Sequence, residues 1–392
     1  MSGARRPASD VLYVGSLLPL LAAAAVLVWH RPDALPLALG AGTLATLGVF
    51  GLRRLTGRSW RAEWLLPVAV LNLLVVTPEL ALRVTPRERD MGIRNAYLDE
   101  FQRLTSDSDL LWTLPAGTPG VNTLGFRGPE IAVPKPIGVC RILYLGDSVE
   151  AQGYPWLVEA HLRERGPTSC VDTANLSLGG YSSYHGRVLA DRYGTRLDPD
   201  LVVVGYGWND HWRTYGEPDS TLGGRRHTWW SDAADQVVRR SALIRALRVA
   251  GGRVLDRRGQ VRVELGEYVE NLRAIEQTFA SRGVPVLFLT APTTHDLRVP
   301  AYLEEQGYAA DAATVHPLHR QYGDALRTVA AESNWRLLDL EVAFAERSDR
   351  ESLFLADGIH FTETGLDLLA EHVSARIVEV LVATCEETCR QP

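Results

Sequence analysis

The sequence predicts an α/β protein: a three-layer αβα domain on a five-stranded parallel sheet, preceded by N-terminal transmembrane helices. Three observations predict it. From residue 139 onward, five short apolar runs alternate with longer helix-forming stretches, the rhythm of a parallel sheet covered on both faces. Ahead of residue 84 lie three apolar runs of about 18–19 residues, each close to the length that crosses a bilayer. The chain is 46% apolar and 22% charged, a balance that suits a folded protein and not a disordered one.

The apolar runs are Val11 to Trp29, Leu35 to Leu52 and Trp64 to Leu82. Arg5 and Arg6 ahead of the first run would suit a signal peptide, but no polar cleavage region follows and two more runs arrive directly. The third run carries Asn72 at mid-depth and Pro78-Glu79 near its end, polar groups that hydrocarbon tolerates only when they are paired. Arg53, Arg54, Arg58 and Arg61 crowd the loop between the second and third runs, while the loop between the first two offers only Arg31. Positive charge collects on the cytoplasmic side. The amino terminus is therefore expected inside, with three crossings and everything after about residue 84 periplasmic or extracellular.

All four cysteines, Cys140, Cys170, Cys385 and Cys389, come after the last crossing. Cys140 and Cys170 each sit just before a predicted strand. Parallel neighbours would bring those strand starts together, so a disulfide between them is expected. For Cys385 and Cys389 both a second bridge and free thiols remain open.

The predicted organisation is a membrane region over 1–83, a connector over 84–138, an α/β domain over 139–384 with an insertion at 211–262, and a tail over 385–392. The connector is rich in Pro and Gly from Pro115 to Pro136, with Phe126 as its aromatic anchor, and is expected to pack against the domain without acting chemically. Strands are expected at 141–146, 170–175, 200–205, 285–290 and 335–340. Helices are expected at about 154–165, 183–194, 265–282, 316–332 and 363–382, two of them closed by Ser281-Arg282-Gly283 and Glu332-Ser333-Asn334. A net charge of −6 with no block of like charge argues against a nucleic-acid partner.

Four blocks carry chemistry. Gly146-Asp147-Ser148 ends the first strand and presents a hydroxyl where sites sit in open parallel sheets. Asn175-Leu176-Ser177-Leu178-Gly179-Gly180 follows the second strand, and Gly207-Trp208-Asn209-Asp210 follows the third. Asp357-Gly358-Ile359-His360 precedes the final helix. A serine attacks an ester only with an adjacent base, and His360 suits that task. Asp357, three residues before it, would reach the other ring nitrogen and fix the tautomer.

In these blocks, in this order, residues 139–384 resemble the SGNH (GDSL-type) hydrolases. The resemblance implies a flavodoxin-like sheet, no cofactor and no metal, and a Ser148–His360–Asp357 triad. It also implies an oxyanion hole made of the Ser148 and Gly180 backbone N–H groups and the Asn209 side-chain amide. One position departs from the family pattern: two places after the serine stands Glu150 where a small or hydroxyl residue is usual. A substrate contact is expected for Glu150, and for Trp208 and Trp212. The aromatics of the insertion (Trp212, Tyr215, Trp229, Trp230) suit either a binding cleft or a small satellite core. His316 and His319 at helical spacing suit a capping role or, with a third ligand, a metal. The expected activity is a membrane-anchored serine esterase acting on acyl, including O-acetyl, esters of envelope glycans or lipids. Acyl transfer to a glycan hydroxyl and a non-catalytic glycan-binding module are the alternatives.

Overall fold

The computed structural model describes residues 104–165, 170–214, 217–224, parts of 241–251, 260–305 and 307–389. The chain divides into two units, Met1–Arg89 with Ala233–Leu247, and Asp90–Asp232 with Arg248–Pro392. The site described below lies in the second. The apolar runs at 11–29, 35–52 and 64–82 fall outside the described residues. Among the described residues no helix is long and apolar enough to cross a membrane.

Five parallel strands form the sheet: β3 (Cys140–Gly146), β4 (Val171–Asn175), β5 (Leu201–Gly205), β6 (Val286–Leu289) and β7 (Arg336–Leu338). Their order is β4-β3-β5-β6-β7, and a short antiparallel hairpin, β1 (Thr105–Asp107) with β2 (Leu111–Thr113), precedes them. The chain starts in the interior of the sheet and winds outward in both directions, so β3 and β5 flank a topological switch point. A crevice opens at that point beyond the carboxyl ends of the strands.

Side chains on β3 sort the two layers, because successive residues on a strand point to opposite faces. Leu143 and Leu145 pack with helices α3 (Ser183–Leu197), α5 (Leu265–Ala280) and α6 (Ala312–Ser333). Ile142 and Tyr144 pack with α2 (Tyr154–Arg165) and α7 (Glu363–Cys389). Two shorter helices, α1 (Ser148–Ala151) and α4 (Asp219–Leu222), carry site residues. Leu110, Leu114 and Phe126 from the segment before β3 join the first layer, Phe126 fully buried.

α6 starts four residues ahead of the predicted position. Asp311 caps it by accepting from the Ala313 N–H at 2.8 Å, which leaves Pro317 inside the helix and not at its start. Cys140 N–H donates to the Cys170 carbonyl at 3.0 Å where β3 and β4 begin. Neither thiol is free.

Candidate active site

The strand-to-helix turn at Ser148 is built by its two neighbours. Asp147 caps α1, its Oδ1 accepting from the Val149 N–H at 2.9 Å, while Glu150 Oε2 accepts from the Asp147 N–H at 2.9 Å. This reciprocal capping box locks the turn that carries the serine. Gly146 and Gly205 leave the space in which the Glu150 carboxyl lies, for a Cβ at either would overlap it.

Ser148 Oγ lies 2.8 Å from His360 Nε2, and His360 Nδ1 lies 2.5 Å from Asp357 Oδ2. The remaining Asp357 oxygen accepts the Ile359 and His360 N–H groups at 3.1 and 3.0 Å. Asp357 therefore fixes both the ring and the backbone that carries it. Gly358, at φ +70°, supplies a turn that side-chain-bearing residues rarely adopt.

Across from the serine, Gly180 adopts φ +83° in the loop after β4. Asn209 Nδ2 lies 3.1 Å from Asp147 Oδ2 and 3.0 Å from the Tyr181 carbonyl. An amide nitrogen carries two hydrogens. Both are engaged, so a third acceptor at Asn209 would compete with the Tyr181 carbonyl.

Three expected substrate contacts are corrected by burial. Glu150 is 4% exposed and sits under the turn, accepting the Tyr154 hydroxyl at 3.2 Å through Oε1. Trp208 is 2% exposed and stacks on His319 with ring centroids 3.7 Å apart. Trp212 is buried with Leu303, Val315 and Ile359 in a satellite core, which decides between its two expected roles. Tyr215, Trp229 and Trp230 lie outside the described residues. His319 is spent within the protein: its Nε2 donates to the Ala291 carbonyl at 2.7 Å, and its Nδ1 faces His211 Nε2 at 3.0 Å. Among the described residues no cluster of potential ligands is arranged for a metal ion.

Burial dominates the electrostatics. It raises the Glu150 carboxyl well above the usual carboxylate range, and burial together with the Glu150 charge raises Asp147. Burial also lifts Asp210 to about 6, against hydrogen bonds from Ser183 that pull it down.

Several residues around the site carry no motif of their own. After β6, the Thr293 hydroxyl and the Thr294 N–H donate to the Gly358 carbonyl at 3.0 and 3.1 Å. His295 Nε2 donates to the Asp357 carbonyl at 2.7 Å, so this segment clamps the Asp357–His360 loop. Trp112 Nε1 donates to the Gly179 carbonyl at 3.4 Å, and Arg262 Nη1 to the Gly180 carbonyl at 2.7 Å. Only their partners in the folded chain reveal them.

An open parallel sheet with Ser, His and Asp at its carboxyl end defines the class of serine hydrolase. The model of the GDSL-like lipase/acylhydrolase family matches residues 144–368, more than half of the chain, and the chain belongs to that family of ester-hydrolysing enzymes. It is 25% identical over 113 residues to the GDSL esterase/lipase CPRD49 of Arabidopsis thaliana, a match spanning 28% of this chain and 43% of that relative. It is 18% identical to a lipase/acylhydrolase from Enterococcus faecalis of known structure, with a TM-score of 0.41 over 62% of this chain and 97% of that one. An acetyl xylan esterase, AlAXEase, is 17% identical, with a TM-score of 0.40 over 60% of this chain and 99% of the other.

Proposed function

We propose that the protein is a serine esterase whose reaction runs through an acyl-enzyme on Ser148. The observation that carries this reading is the unbroken line Ser148 Oγ–His360–Asp357, at 2.8 and 2.5 Å. His360 Nε2 takes the Ser148 proton as Oγ attacks the ester carbonyl carbon, and Asp357 stabilises the imidazolium through Nδ1–H. The Ser148 and Gly180 N–H groups and Asn209 receive the oxyanion. The C–O bond to the leaving alcohol then breaks, and His360 returns its proton to that alcohol. Water repeats the sequence on the acyl-enzyme and releases the acid.

The substrate side of the proposal is an acyl ester of an envelope glycan or lipid, met outside the cell by a domain anchored through the runs at 11–29, 35–52 and 64–82. The arginine loop at 53–61 supports that orientation. A Cys140–Cys170 disulfide would suit an oxidising compartment, and the 3.0 Å backbone bond between these residues supports the pairing.

Purified full-length protein should hydrolyse a short-chain chromogenic ester, and Ser148→Ala should abolish turnover. Equal rates for the two proteins across several acyl lengths would overturn the enzyme reading. A reporter fused after residue 90 should read as exported; a cytoplasmic signal would overturn the topology.

A further inference from the structure

We infer that Trp112 and Arg262 are positioning residues that aim the Gly180 N–H at the oxyanion, an inference that rests on the acyl-enzyme reading above. Neither belongs to a motif of the site. Trp112 lies on β2, before the sheet begins, and Arg262 closes the insertion.

The geometry follows from the planarity of the peptide unit. The Gly180 N–H shares one plane with the Gly179 carbonyl and points opposite to it. The Trp112 indole N–H holds that carbonyl at 3.4 Å and so sets the direction of the N–H. Arg262 Nη1 holds the next carbonyl, that of Gly180, at 2.7 Å. Two successive peptide planes are thus pinned on either side of a glycine at φ +83°, a residue that without a Cβ would otherwise be unusually free. The Trp112 ring also lies against Gly180, 3.2 Å from where a Cβ would stand.

The clamp is anchored in turn. Arg262 Nη2 and Nε meet Asp219 Oδ2 and Oδ1 at 2.7 and 3.2 Å, a two-pronged pair that fixes the guanidinium plane. Asp219 Oδ2 also accepts the Ser182 hydroxyl at 2.7 Å, two residues past Gly180. His185, fully buried, accepts the Ser182 N–H at Nδ1 and packs against Trp112 with centroids 4.9 Å apart. Arg262 itself lies over the Trp112 ring at 5.5 Å. Burial would raise the Asp219 carboxyl, yet the Arg262 guanidinium, together with hydrogen bonds from Arg262 and the Ser182 hydroxyl, holds it below its ordinary value, so the anchor stays charged. Both ends of the insertion and the hairpin before β3 therefore converge on one loop.

The test is steady-state hydrolysis of para-nitrophenyl acetate by the full chain and its Arg262→Ala, Arg262→Lys and Trp112→Phe variants. A mis-aimed donor acts in the transition state. Arg262→Ala and Trp112→Phe should therefore each lower kcat by about 10- to 100-fold with KM nearly unchanged. Added guanidinium ion should restore part of the Arg262→Ala loss, and Arg262→Lys should fall between the two. Folded variants with wild-type kcat, or losses confined to KM, would overturn the inference. Should Arg262→Ala fail to fold, Trp112→Phe, which keeps an aromatic side chain and lacks the indole N–H, decides alone. Failure of the underlying reading looks different: Ser148→Ala would then match wild type, whatever Arg262 does.

Discussion

On the acid–base side of the site, Asp357 and His360 stand three residues apart in one loop, and one carboxylate orients both ring and backbone. On the oxyanion side, Gly180 is held by Arg262, 82 residues away, while the adjacent Gly179 is held by Trp112 at a distance of 67. The Asp357–His360 pair orients itself by local geometry inside a loop that Thr293, Thr294 and His295 clamp, whereas both peptide planes of Gly180 are held by side chains distant in sequence. A local arrangement forms with its own turn. A long-range one exists only when the hairpin, the insertion and the sheet are all in place, so distant changes reach the chemistry most directly through it.

This contrast fixes an order of effects. Asp357→Asn should be the larger lesion. An amide facing His360 favours the wrong tautomer, and kcat should fall by roughly 10³–10⁴-fold, against the smaller loss at Arg262 or Trp112. Equal losses on the two sides would erase the distinction between reacting and positioning groups.

The smallest expected effect concerns stability. Burial raises the Glu150 carboxyl in the folded state, so the fold binds a proton there that the unfolded chain has already released. Stability from this group is therefore full below the ordinary carboxylate range and is lost as pH rises toward neutrality and above. Glu150→Gln keeps the packing and removes that titration. Its melting temperature should gain on wild type between about pH 5 and about pH 8. A constant difference across that range would show that Glu150 does not titrate in the fold.

The same division explains what was readable in the chain. Strands β3, β5 and β6 announce themselves as short apolar runs, because both faces of a parallel sheet are buried. Ser148, His360 and Asp357 announce themselves because turn chemistry and local spacing place them. Glu150 beside the serine reads as a substrate contact, and nothing local corrects that. Its burial depends on Gly146 and Gly205, and Gly205 comes from another strand. Trp208 and Trp212 mislead for the same reason: an aromatic beside a catalytic block looks like a binding face until His319 and Val315, on α6, arrive to cover it. Pro317 reads as a helix start, yet Asp311 supplies a better cap one turn earlier. Trp112 and Arg262 give no local signal, since what each does is decided wholly by its partner.

The most direct test of the central claim is mass spectrometry of the full chain after reaction with a fluorophosphonate, a reagent that captures an activated serine. A single adduct on the peptide bearing Ser148, absent from His360→Ala, is the result expected. An unmodified Ser148, or an adduct that persists without His360, would contradict a nucleophile activated by that histidine.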